Sequence, residues 1–120
     1  VEDRNACERL FEKIIEEEGL EMLGWRHVPV DDGKCGRLAR DAMPAIRQIF
    51  IAPSKELLRR EPFDADAFER KLYVVRQRVE HEVRAEKRLR DSASFYVCSL
   101  SSRTMVYKGL LLTEQIPQFY

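Results

Sequence analysis

Few residues in this chain have the side chains that bond-making chemistry needs. There are two histidines, His27 and His81, and three cysteines, Cys7, Cys35 and Cys98. A serine or cysteine nucleophile needs a base within hydrogen-bond reach. Neither histidine has such a partner beside it: His27 follows Trp25 on a predicted strand, and His81 lies between Glu80 and Glu82 on a predicted helix. Both read as structural or surface histidines. Cys98, between Val97 and Ser99, lacks a local cation or helix amino terminus to draw off its proton, so it reads as a small core hydrophobe, as does Cys7 in its own apolar run.

The charged clusters are equally plain. Glu16, Glu17 and Glu18 are consecutive on a helix, so their carboxylates diverge and cannot converge on one ion. Asp31-Asp32-Gly33 begins like a calcium loop but does not continue as one, and reads as a turn. Arg84, Lys87, Arg88 and Arg90 could meet phosphate, yet Glu82, Glu86 and Asp91 intersperse with them, which suits a solvated helix end. Ser101-Ser102-Arg103 is the polar cluster of most interest; its hydroxyls suit a hairpin turn. No glycine-rich phosphate loop, dinucleotide fingerprint or Cys-x-x-Cys pair is present. No catalytic, cofactor-binding or metal-ligating residue is assigned.

The elements that carry these residues follow from periodicity. Ala6, Cys7, Leu10, Phe11, Ile14 and Ile15 recur at helical spacing over 4–18, with Asp3 or Asn5 as the cap and Gly19 as the stop. Residues 20–30 read as a strand, with Met22, Gly24, Arg26 and Val28 on one face and Leu23, Trp25 and His27 on the other. A short helix at 35–42 and a strand at 45–52 follow. Residues 53–63, bracketed by Pro53 and Pro62, are irregular with one helical turn. A long helix over 65–89 carries the stripe Phe68, Leu72, Val75, Val79, Val83, with Asp64 as its cap and Asp66 with Glu69 as a capping box. The run 95–112 is aromatic and β-branched around the break at 101–103, which predicts strand, tight turn, strand. Residues 113–120 form a helical turn interrupted by Pro117.

Composition narrows the class. The chain has 120 residues, enough for one domain with a real core, and 44% of them are hydrophobic. Charged residues reach 35%, but 21 basic and 21 acidic side chains cancel, which argues against a nucleic-acid binder or an anionic-membrane ligand. No apolar run approaches the roughly 20 residues a bilayer span requires. An odd, widely spaced set of cysteines suggests neither a disulfide framework nor a zinc site, and points to reduced thiols in the cytoplasm.

Two stretches, FERKLYVVRQRVEH and FYVCSLSSRTMVYKGLLL, resemble the amino-terminal glutaminase region of the large subunit of glutamate synthase. The earlier stretches CERLFEKIIEEEGLEMLGWRHVPVD and PAIRQIFIAP match in the same order, so the resemblance spans nearly the whole chain. It implies a piece of a class II glutamine amidotransferase of the Ntn-hydrolase type. That family's nucleophile is an amino-terminal cysteine, whereas this chain begins Val1-Glu2-Asp3, so the expectation is an internal, noncatalytic segment. The resemblance further implies FMN and an iron–sulfur cluster elsewhere in the parent, none in this segment, and the rest of the parent chain as partner.

The expected order is therefore α-β-(α)-β-α-β-β in an α+β fold. The preferred arrangement is a ferredoxin-like two-layer sandwich, with two main helices on one face of an antiparallel sheet. It would lack its first strand and carry an extra carboxy-terminal strand, 104–112. That strand could instead belong to the parent's main sheet, leaving an unpaired edge that invites self-association. A second reading is a stand-alone ferredoxin-like module for a small ligand or protein, with its surface around Met22, Arg26 and Tyr107.

Overall fold

Helix α1 (Glu2–Glu17) is built on the apolar stripe that its spacing announces, and Phe11, Ile14 and Ile15 along it are buried. The structure is a computed structural model that describes residues 2–90, 92–109 and 111–119. Because α1 starts at Glu2, Asp3 and Asn5 lie inside the helix and do not cap it; the Asp3 carboxylate instead accepts from the Arg90 amide at 3.4 Å. At the far end Gly19 adopts φ +73°, the left-handed conformation that lets the chain leave a helix cheaply.

The chain then forms β1 (Glu21–His27), the short helix α2 (Arg37–Asp41) and β2 (Arg47–Ala52). β1 and β2 pair antiparallel, with Met22 opposite Ile51, Gly24 opposite Phe50 and Trp25 opposite Ile49. Leu23 is the odd residue out, a bulge at which the register shifts. The alternation expected for this strand therefore fails. Ile49 and Ile51 share a face, so the bulge puts Met22 on the same side as Trp25. Gly24, at φ +152°, supplies the backbone conformation that a residue with a Cβ rarely adopts.

One face of this two-stranded sheet rests on α1. The Trp25 ring meets Phe11 edge-on at 5.7 Å, and its indole N–H donates to Glu12 at 2.7 Å. Arg47 lies over the same ring and pairs with Glu8 at 2.7 Å. The opposite face, with Phe50 43% exposed and Arg26 exposed, has no covering layer among the described residues.

Helix α3 (Lys55–Leu58) is capped by Ser54, and α4 (Ala65–Ala85) by Asp64, whose carboxylate accepts from the Ala67 amide at 2.9 Å. The expected Asp66–Glu69 capping box is not formed, because both carboxylates turn to the later chain. The chain leaves the helix at Glu86, earlier than expected, and the turn that follows lets Leu89 reach the core. α4 packs antiparallel on α1: Asp3 lies at Arg90, and Glu18 at Lys71. Phe68, Leu72, Val75, Val79 and Val83 of α4 join Phe11, Ile14 and Ile15 in one core.

After a 3-10 turn (Ser92–Ser94), the expected strand pair over 95–112 is absent from the described part of that run. Lys108 donates to the Tyr96 hydroxyl at 2.6 Å, so the two arms do turn back on each other, but no backbone ladder joins them. High β propensity measures fit to a pleated, half-buried surface, and an isolated two-stranded hairpin is marginal. Leu110, within the second predicted strand, lies outside the described residues, as do Val1, Asp91 and Tyr120. The chain closes with a 3-10 turn (Thr113–Gln115) and α5 (Ile116–Phe119). Pro117 does not interrupt that helix, since it sits in the first turn, where no intrahelical N–H is needed.

The result is an α+β slab measuring 51 × 39 × 19 Å. Its accessible surface is 9371 Å², whereas a folded monomer of this mass exposes about 6,700 Å². The radius of gyration is 16.7 Å, against about 13.6 Å for a compact domain of this length. Among the described residues, no helix is long and apolar enough to cross a membrane.

Candidate functional site

Helix α4 organises the polar chemistry of the molecule through two stripes flanking its buried face. On one flank, Lys71 and Arg78 grip the end of α1. Lys71 pairs with Glu18 at 2.9 Å; Arg78 binds Glu18 at 2.9 Å, Glu82 at 3.2 Å, and Glu17. The Lys71 ammonium, then Arg78, hold Glu18 below the usual carboxylate range, and Arg78 does the same for Glu17. Two of the three carboxylates in the run 16–18 are thus paired with cations of another helix.

The other flank carries Asp66, Glu69 and Glu80, and it holds the Ser101–Arg103 cluster. Glu69 accepts from the Ser101 hydroxyl at 3.0 Å and from both the amide and the hydroxyl of Ser102 at 2.6 Å. The Ser101 oxygen in turn accepts from the amides of Arg103 at 3.0 Å and Thr104 at 3.2 Å. Arg103 pairs with Asp66, and Glu80 accepts from the Val97 amide at 3.0 Å. The Ser101 hydroxyl thus satisfies backbone groups, as the sequence suggests, whereas the Ser102 hydroxyl donates to Glu69, and the turn is secured to a helix far away in sequence.

This arrangement suits anchoring better than catalysis. The Ser102 hydroxyl leads the donors that keep Glu69 below the usual carboxylate range. A carboxylate so occupied is a poor base for activating either serine. The shallow depression beside it, about 430 Å³ and bordered by Phe63, Asp66 and Arg103, opens broadly to solvent.

The other sequence candidates lie apart. His27 and His81 are exposed. Cys7 is half-buried, and that burial, then Asp3, pushes its thiol up, away from reactivity. Cys35 is half-buried and Cys98 is exposed, so the core reading of Cys98 fails: its neighbour Val97 takes the buried position and Cys98 points outward. Asp31 closes its own turn by accepting from Gly33 at 3.0 Å, and Asp32 pairs with Arg40 at 3.3 Å. Arg84, Lys87, Arg88 and Arg90 are exposed, with Arg84 reaching Glu80 at 3.9 Å. Met22 and Arg26 fall on opposite faces of the sheet because of the bulge, so they do not share one sheet surface.

The roles of Glu69 and Glu80 escape a reading of the sequence. The signal available was the spacing 66, 69, 73, 76, 80, a second helical stripe beside the apolar one.

The family model for class-II glutamine amidotransferases matches residues 1–120. This chain belongs to that family. It is similar to the glutamate synthase [NADPH] large chain of Bacillus subtilis, 43% identical over 99% of this chain and 7% of that protein. It is equally similar to the chloroplastic ferredoxin-dependent glutamate synthase of Oryza sativa, 43% identical over 99% of this chain and 7% of that protein. The glutamate synthase [NADPH] large chain of Azospirillum brasilense is 36% identical over 98% of this chain and 7% of its own length. The chain thus spans about 7% of the length of these relatives. An iron–sulfur cluster needs a convergent set of thiolates. Among the described residues no group of three or more His, Cys, Asp or Glu could hold a metal ion, so this segment does not fit such a cluster.

Proposed function

We propose that this chain is a noncatalytic structural segment of the glutaminase domain of a glutamate synthase. The parent would hydrolyse glutamine and deliver the ammonia to 2-oxoglutarate, with a reductant, to give glutamate. FMN and the iron–sulfur cluster would be held by other parts of that parent. The observation that carries this reading is the openness of the lobe: one sheet face is bare, and accessible area exceeds that of a folded monomer by roughly 2,600 Å². Such a surface is supported as an interior by the length of the relatives, of which this chain covers 7%. In the finer arrangement, the run 95–112 becomes strands only when the parent's sheet lies beside it. The ferredoxin-like sandwich would then be complete only in that context.

Relatives named for NADPH and for ferredoxin match this segment at the same 43%. The choice of electron donor therefore belongs to another region of the parent. The free thiols Cys7, Cys35 and Cys98 fit a reducing compartment, which we take as the cytoplasm, while the rice relative is named as chloroplastic.

A glutamine-analogue electrophile that alkylates glutaminase cysteines tests the reading. Intact masses are taken for this chain and for a full-length glutamate synthase that contains it. The full-length enzyme takes up one glutamine-protected label and this chain none. Saturable, glutamine-protected labelling of Cys7, Cys35 or Cys98 would overturn the proposal.

A further inference from the structure

Glu69 and Glu80 stand eleven positions apart on α4, three turns along one flank, an axial rise of about 16 Å. The backbone amides they receive, Ser102 and Val97, stand five positions apart on the later chain. Five residues near full extension span about 16–18 Å. That reach is enough to meet both carboxylates, and the order is reversed, so residues 97–102 run antiparallel to the helix with a bend at Cys98. Val97 is buried and Ser99 and Ser101 are half-buried, while Cys98 is exposed. Leu100 is half-buried as well and packs against the core, so three consecutive side chains, and not a strand's alternation, face the helix.

We infer that Glu69 and Glu80 form a two-point clamp that sets the path of residues 97–102 along α4, with no strand pairing that segment among the described residues. Glu69 is the stronger point. It takes three donors from two adjacent residues, and the Ser101 oxygen it holds gathers the amides of Arg103 and Thr104 behind it. Glu80 is the second point and is steadied by Arg76 at 3.6 Å. One point alone would leave the segment free to slide along the helix. Two points a fixed helical distance apart remove that freedom. The inference rests on this geometry and stands whether or not the parent is a glutaminase.

Amide hydrogen exchange on the chain tests it, using Glu69→Ala, Glu80→Ala and the pair Ser101→Ala/Ser102→Ala. Losing a charge-assisted hydrogen bond predicts that Glu69→Ala speeds exchange at Ser102 by about tenfold or more and leaves Val79 unchanged. Glu80→Ala does the same at Val97. The serine pair keeps the amide of residue 102 on Glu69 but removes the acceptor of the Arg103 and Thr104 amides, so it speeds exchange at 103 and 104 more than at 102. Should Glu69→Ala unfold the chain, Glu69→Gln, which keeps one acceptor oxygen, gives an intermediate rate at Ser102. Unchanged exchange at Ser102 in Glu69→Ala, or equal acceleration at Ser102 and Val79, would each overturn the clamp.

Discussion

Individual side chains divide into those that fill space and those that hold charge. Ile14 and Ile15 on α1, with Val75, Val79 and Val83 on α4, have no exposed surface, so truncation there leaves a cavity that a thin slab cannot close by relaxing. Ile14→Ala should cost about 2–5 kcal/mol, read as a lowered urea midpoint. The carboxylates act differently. Glu17, Glu18, Glu69 and Asp66 all titrate below their ordinary range in the folded chain, because Arg78, Lys71, the Ser102 hydroxyl and Arg103 respectively favour the ionised form. In acid, the unfolded chain therefore binds more protons than the folded one. Their contribution is complete above the ordinary carboxylate range, near pH 4, and drains away as the pH falls through the lower folded values. Stability should be flat from neutrality to about pH 5 and fall below about pH 4. In Glu18→Gln the acid fall should be shallower, since one of the depressed groups is gone; urea midpoints across that pH range check it.

Elements were legible where one periodicity decided them. The stripe Phe68, Leu72, Val75, Val79, Val83 and the caps Asp64 and Gly19 could be read directly, because a helix makes its own hydrogen bonds and records its buried face locally. Asp64→Ala should cost about 1 kcal/mol, seen as a lower thermal midpoint. Strands were less legible, since their partners lie far off in sequence. The bulge at Leu23 reversed the expected face of Met22, and only pairing with β2 reveals it. A glycine in that strand was a hint, and Gly24 now carries a prediction. Gly24→Ala meets no atom within 4 Å, yet should destabilise by about 1–3 kcal/mol through backbone strain alone. The segment 95–112 misled for a related reason: its composition describes a strand that the described chain does not supply with a neighbour. Likewise, the Ser101–Arg103 cluster was visible, but its anchor Glu69 was not, because a contact across 32 positions leaves no local trace.

At the scale of the whole molecule, the core is a single seam between α1 and α4, extended to one face of a two-stranded sheet. Everything beyond it is thin. Phe50 on the bare face and Met105, Val106 and Tyr107 on the later arm are 43–65% exposed, an apolar surface that a self-sufficient domain of this size would bury. The central claim is that this surface is interior in a full-length glutamate synthase. Amide exchange over residues 104–109, compared between this chain as a monomer and a full-length enzyme containing it, tests that claim most directly. The account predicts at least about a hundredfold more protection of these amides in the full-length enzyme than in the monomer, as for paired strands. Strong protection of 104–109 in the monomer, or none in the full-length enzyme, would contradict it.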